Sequence, residues 1–131
     1  MKISTKGRYA VVIMIELAKA YKYDKYVSLN DIAESNNISL KYLEKIMLSL
    51  KKQNFFITSR GGNGGYKLSR NPSEYKIGDI IRASEEIIDI APCTLNNNCP
   101  KKDNCFSFPL WNELSFIIND YLDSKTLNDY I

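Results

Sequence analysis

Between Ser28 and Lys52 the apolar positions fall at Leu29, Ile32 and Ala33, then Ile38, then Leu43, Ile46, Met47 and Leu50. This is the three- and four-residue spacing of two helices on either side of a short break. Ser28 can cap the first helix, with Asp31 three residues on; Asn36-Asn37 can supply a left-handed turn residue; Ser39 can cap the second. Two helices joined by so short a turn predict a helix-turn-helix. With the buried positions removed, the second helix offers Lys41, Tyr42, Glu44 and Lys45 near its start, side chains that reach phosphates and base edges from the major groove. An ordinary helical hairpin with a solvated face would show the same spacing, so the pattern alone leaves both readings open.

The flanking pattern favours the DNA-binding one. Ser4-Thr5 open a helix to about Tyr21 with Ala10, Met14, Leu17, Ala18 and Tyr21 inward, leaving Lys6 and Arg8 near its start, where side chains and free backbone N–H groups can meet phosphate. After the second helix, Phe55 to Ser59 and Tyr66 to Leu68 read as short strands around GGNGG, whose glycines permit a tight hairpin tip. A hairpin in that place is a β-wing, with Arg60 at its base and Lys67 and Arg70 nearby to reach the minor groove and backbone. GGNGG lacks the lysine and serine of a nucleotide-binding loop and does not lead from a strand into a helix. Tyr75 to Glu86 reads as a helix closing the unit, with Ile77, Ile80 and Ile81 inward. Ser107 and Pro109 open a last helix whose stripe is Leu110, Leu114, Ile117, Ile118, Tyr121 and Leu122, more than a small winged domain can easily cover, so that self-association is expected, with a helix folded back on its own domain as the alternative. The expected fold is therefore mainly α with a small β-wing: a winged helix-turn-helix over 1–86, a cysteine-containing loop over 87–108, and a dimerisation helix and tail over 109–131. A twofold homodimer would set its recognition helices about 34 Å apart, or a multiple of that, on a pseudo-palindromic duplex.

Composition adds little until charge is divided along the chain. The 131 residues are 44% hydrophobic and 25% charged, as expected of one globular domain. No stretch approaches the roughly 20 apolar residues of a membrane span, so a cytoplasmic protein with no membrane partner is expected. Residues 1–70 hold 13 Lys or Arg against 5 Asp or Glu, and residues 71–131 hold 5 against 10. The basic half is the half with the helix-turn-helix, as neutralising a phosphate backbone requires. With the capping serines Ser28 and Ser39, the candidate DNA-binding set is Lys6, Arg8, Lys41, Tyr42, Glu44, Lys45, Arg60 and Lys67. No nucleophile–base pair or paired carboxylates at catalytic spacing support an enzyme.

All three cysteines, Cys93, Cys99 and Cys105, lie in the aperiodic stretch APCTLNNNCPKKDNCFSFP, spaced C-x5-C-x5-C. The odd count disfavours a disulfide, and neighbouring Asn, Lys, Asp and Pro disfavour buried core thiols. Structural zinc takes four ligands, usually in C-x2-C pairs, and the chain has no histidine. A thiolate-bound iron–sulfur cluster is the leading metal reading, though it too lacks a fourth ligand. A thiol redox switch or a zinc site stays open beside it.

The order TKGRYAV, a helix-turn-helix containing ISLKYLEKI, a wing reading SRGGNGGYKL, the C-x5-C-x5-C loop and then PLWNEL resembles the Rrf2 family of bacterial winged-helix regulators over nearly the whole chain. The likeness is strongest to members that sense iron–sulfur clusters. It implies a dimeric repressor or activator whose Cys93, Cys99 and Cys105 hold a 2Fe-2S cluster, in preference to 4Fe-4S, that alters promoter choice. It also implies that Glu44, in the shared YLE motif, excludes one class of promoter. Cluster-sensing members place a histidine ligand three residues after the last cysteine, where this chain has Phe108; an aspartate ligand near the N-terminus of others falls at Arg8. A fourth ligand would have to be a carboxylate such as Asp103, the Ser107 hydroxyl, a group from the partner subunit or a small molecule. A cluster-free regulator of cysteine metabolism is the alternative within the same family.

Overall fold

The computed structural model describes residues 2–61, 64–84, 87–95 and 99–131. In chain order the helices are α1 (Thr5–Tyr21), α2 (Leu29–Asn36), α3 (Leu40–Lys51), α4 (Ile77–Ala83), the single turn α5 (Pro92–Leu95) and α6 (Phe108–Ser124). The strands β1 (Phe56–Ser59) and β2 (Gly65–Leu68) pair antiparallel between α3 and α4, with Phe56 opposite Leu68 and Ser59 opposite Gly65. Two expectations lie outside the described residues: the tip conformation at Gly62-Asn63 and the helix end at Glu85-Glu86. Among the described residues, no helix is long and apolar enough to cross a membrane.

Local chemistry starts the helices where the sequence places them. The side chains of Ser4, Ser28 and Ser39 accept from the backbone N–H groups of Gly7, Asp31 and Tyr42, satisfying donors that the first turn leaves unpaired. Asn37 ends α2 in the left-handed region at φ 53°, which turns the chain into α3. Helix α1 lies centrally, packed against α3, β2 and α4. Its Ala10, Ile13, Met14 and Leu17 meet Ile32, Leu43, Ile46, Leu50, Leu68 and Ile80 in one apolar core.

The expected helix from Tyr75 begins two residues late, at Ile77. Tyr75 and Lys76 are held extended by the C-terminal tail: Ile77 N–H donates to the Lys125 carbonyl at 2.8 Å, and Leu127 N–H donates to that of Tyr75 at 3.1 Å. Tyr75 is thereby turned into the core, where its hydroxyl donates to the Phe55 carbonyl at 2.6 Å and accepts from the N–H groups of Ser69 and Arg70, both at 3.1 Å. One phenol thus ties the start of β1 to the end of β2.

The last helix is half docked. Ile118 and Leu122 pack on the core, and Arg82 of α4 reaches Asp123 at 2.9 and 3.1 Å and Asn119 at 2.8 Å. Gly78 makes room, since a side chain there would collide with the Asp123 carboxylate. Leu110, Trp111, Leu114, Phe116, Ile117 and Tyr121 remain exposed on α6. The preceding stretch is not structureless as its sequence suggests: α5 and a 3-10 turn at Lys102–Asn104 interrupt it, and Asp89 accepts from Ala91 N–H and the Thr94 hydroxyl.

Replacing Tyr75 with Phe keeps the packing but removes a buried donor from the Phe55 carbonyl and strands the Arg70 N–H, while Ser69 N–H keeps its own 3.2 Å bond to that carbonyl. A loss of about 1–3 kcal/mol is expected, read as a lower urea midpoint at unchanged slope; an unchanged midpoint would show that water substitutes for the hydroxyl.

Candidate nucleic-acid interface and cysteine loop

Leu43, Ile46, Met47 and Leu50 fix the rotation of α3 by burying one face, so Lys41, Glu44, Lys45 and Leu48 form an exposed stripe on the other. Tyr42 is only half exposed: it faces α1, where its ring meets Tyr9 edge-on at 5.7 Å, so packing claims part of a side chain expected at the DNA face. Ser28 and Ser39 sit at the N-termini of α2 and α3 with their hydroxyls engaged as caps. At the start of α1, Arg8 is exposed and donates to Thr5 Oγ1 at 3.2 Å, and Lys6 is half-buried.

The wing is fastened to the entrance of the helix-turn-helix. Val27 and Tyr66 exchange both backbone hydrogen bonds at 2.8 Å, one residue before the Ser28 cap. Gly65 permits this approach, because a Cβ at that position would fall on the Val27 carbonyl. The same pairing brings Lys67 against the α1–α2 connection, where it donates to Asp24 at 2.7 Å and lies 4.9 Å from the centre of the Tyr26 ring. The Asp24 hydrogen bond raises the Lys67 pKa. Lys67, placed among the expected DNA contacts, is therefore paired with the protein's own carboxylate in the free protein. Arg60 follows β1 and is exposed.

A cleft of about 420 Å³ separates α3 from the wing, lined by Glu44, Met47, Leu48, Lys51, Phe56, Thr58 and Tyr66. Leu48 and Thr58 were not among the residues expected from sequence. Helical phase alone could have found Leu48, which stands four residues after Glu44 and three after Lys45, on the solvent side.

Of the cysteines, Cys93 is buried on α5, contrary to expectation, while Cys99 and Cys105 are partly exposed; all three are free of disulfides. The expectation failed at Cys93 because α5 folds that part of the stretch back onto α6. Cys105 Sγ lies 3.2 Å from Ser107 Oγ, which accepts from Trp111 Nε1 at 3.2 Å. The hydrogen bond from the Ser107 side chain, helped by its backbone N–H, holds the Cys105 thiol below its ordinary pKa. Phe108 lies beneath the Lys102 ammonium, 5.0 Å from its ring centre. Three soft sulfur donors suit iron or zinc in kind, yet among the described residues no three Cys, Asp or Glu side chains are gathered closely enough to hold a metal.

Residues 3–131 match the model of the Rrf2 family, described as an iron-dependent transcriptional regulator. The chain belongs to the Rrf2 family. It is 37% identical to the HTH-type transcriptional regulator IscR of Pectobacterium atrosepticum, over all of this chain and 79% of that one. Among solved structures it is similar to CymR, the global cysteine regulator of B. subtilis, at 39% identity and TM-score 0.81, covering 99% of this chain and 95% of that one. It is also similar to T. potens IscR, at 34% identity and TM-score 0.77, covering 99% and 85%. The chain is thus a winged-helix Rrf2 transcriptional regulator, of a family of DNA-binding proteins and not enzymes.

Since β2 reaches Val27 only because residue 65 lacks a side chain, Gly65→Ala should cost about 1–3 kcal/mol through overpacking. Urea denaturation measures it, and a variant as stable as the parent would mean the Val27 backbone yields freely.

Proposed function

We propose that this Rrf2 regulator acts in the cytoplasm as a homodimer on a pseudo-palindromic duplex, with a cluster-bearing cysteine loop setting its promoter choice. The observation that carries the DNA mode is the exposed stripe of α3 standing beside a wing that Val27 holds in register. Lys41 and Lys45 enter the major groove with Glu44 between them, and Arg60 reaches the adjacent minor groove and phosphates. Glu44 accepts from cytosine N4 where one is present; elsewhere its carboxylate is desolvated without a partner, so it excludes sites as well as selecting them. The dimer is supported by the apolar row on α6, where Ile117 and Tyr121 are 61% and 58% exposed.

Cys93, Cys99 and Cys105 would hold the cluster, 2Fe-2S in preference to 4Fe-4S. The iron-dependent description of the family and the IscR relatives support this assignment. Bound there, the cluster would supply a signal of iron supply or redox state. Phe108 offers no donor, so Asp103, Ser107, a partner-subunit group or a small molecule completes the set. A second reading keeps the DNA mode and makes the loop a thiol switch or zinc site. Its thiol-switch form is favoured by the separated sulfurs, the lowered pKa of Cys105 and the likeness to CymR.

Two measurements test these assignments. Arg60→Ala should weaken operator binding by about 1–3 kcal/mol and flatten the salt dependence by about one ion; unchanged affinity and slope would remove Arg60 from the interface. Protein purified without oxygen should carry iron, labile sulfide and visible absorbance, and Cys99→Ala or Cys105→Ala should each abolish them while shifting fold stability by no more than about 0.5 kcal/mol. Stoichiometric zinc, or free thiols with no sulfide, would establish the second reading instead.

A further inference from the structure

The exposed stripe of α3 runs Lys41, Glu44, Lys45, Leu48, at the i, i+3, i+4, i+7 positions of one face. Three of its members are charged; Leu48, at 68% exposure, is not. A single exposed leucine needs no explanation on most surfaces. Here it projects from the face that enters DNA, beside a cleft whose nearby walls include Met47, Phe56 and Tyr66, with Phe56 and Tyr66 packed edge-on at 5.2 Å. Lys45 and Lys51 stand on the same helix three residues to either side, where they can meet the flanking phosphates.

A leucine offers no hydrogen bond to a base edge, so pressing it against polar edges would desolvate them without return. The one apolar group displayed in the major groove is the thymine C5 methyl. We propose that Leu48 is a specificity-determining residue that reads a thymine methyl, seating it against Leu48 at the mouth of the α3–wing cleft. The proposal rests on α3 being the recognition helix and adds a base preference to it. It also divides labour along the stripe: the charged residues report hydrogen-bonding groups, and Leu48 reports the presence of a methyl group.

The test uses the full chain and a duplex selected by that protein from a randomised library. Each thymine of a half-site is replaced in turn by deoxyuridine, which differs only in lacking the C5 methyl. Wild-type protein should lose about fourfold in affinity at one position per half-site, the equivalent of one buried methyl group. Leu48→Ser should bind the thymine and deoxyuridine duplexes equally, and Leu48→Met should restore the preference. Because Leu48 lies outside the core, a melting curve near that of the parent is expected for both variants. The proposal is overturned if no deoxyuridine position weakens the wild type, or if Leu48→Ser keeps the wild-type ratio; uniform weakening by Leu48→Ser would mean a sugar or backbone contact instead. Lys41→Ala and Lys45→Ala separate the two levels: unchanged affinity in both removes α3 from the groove, whereas weakened binding without methyl discrimination removes Leu48 alone.

Discussion

The pair of backbone hydrogen bonds between Val27 and Tyr66 is the constraint on which the placement of the wing against the helix-turn-helix depends. A two-stranded hairpin is marginal by itself, and the wing gains a third backbone partner at the residue that precedes the Ser28 cap. The cap fixes where α2 begins, Asn37 fixes the turn, and α2 and the turn fix where α3 begins. Wing and α3 are consequently set from one point in the chain, and Gly65 is the residue whose small size permits it.

Behind that point the structure is closed by polar contacts buried among apolar ones. The Tyr75 hydroxyl serves one acceptor and two N–H donors, so its ring can fill the core without leaving a buried polar group unpaired. On the opposite side of α4, Arg82 meets Asp123 and Asn119 in a forked arrangement that a lysine could not reproduce. The Arg82 contacts, with the backbone pairing of Tyr75 and Ile77 to Leu127 and Lys125, join the C-terminal segment to the winged unit at both ends of α4.

What could be read in the sequence was local. Serine caps and the left-handed Asn37 act within four residues of themselves, and their positions were legible one by one, as was the glycine-flanked wing. What could not be read was set by distant partners. The tail from Lys125 to Leu127 pairs with residues 75–77 and delays α4, a match across some fifty positions that no periodicity announces. That Lys67 pairs with Asp24 and that Tyr42 packs on Tyr9 could not be read either, because Asp24 is near only in the fold and Tyr9 belongs to another helix. Cys93 looked exposed among polar neighbours until α5 folded it inward. Leu48 was missed for a different reason: apolar residues are counted toward the core, and a leucine on the wrong phase of a helix is easily passed over.

The uneven anchoring of α6 gives it the mechanics of a lever. Its fulcrum is the Arg82 clamp at Asn119 and Asp123, whereas no residue from Pro109 to Leu114 is buried. At about 1.5 Å per residue the unclamped arm reaches roughly 16 Å back to Phe108, three residues past Cys105. A push at the cysteine end is therefore delivered first to the exposed apolar row, and reaches α4 through the Arg82 clamp and the Ile118 and Leu122 packing beside it. In the homodimer proposed above, changes in the loop would act on how the two subunits are spaced before they act on either subunit's grip on DNA.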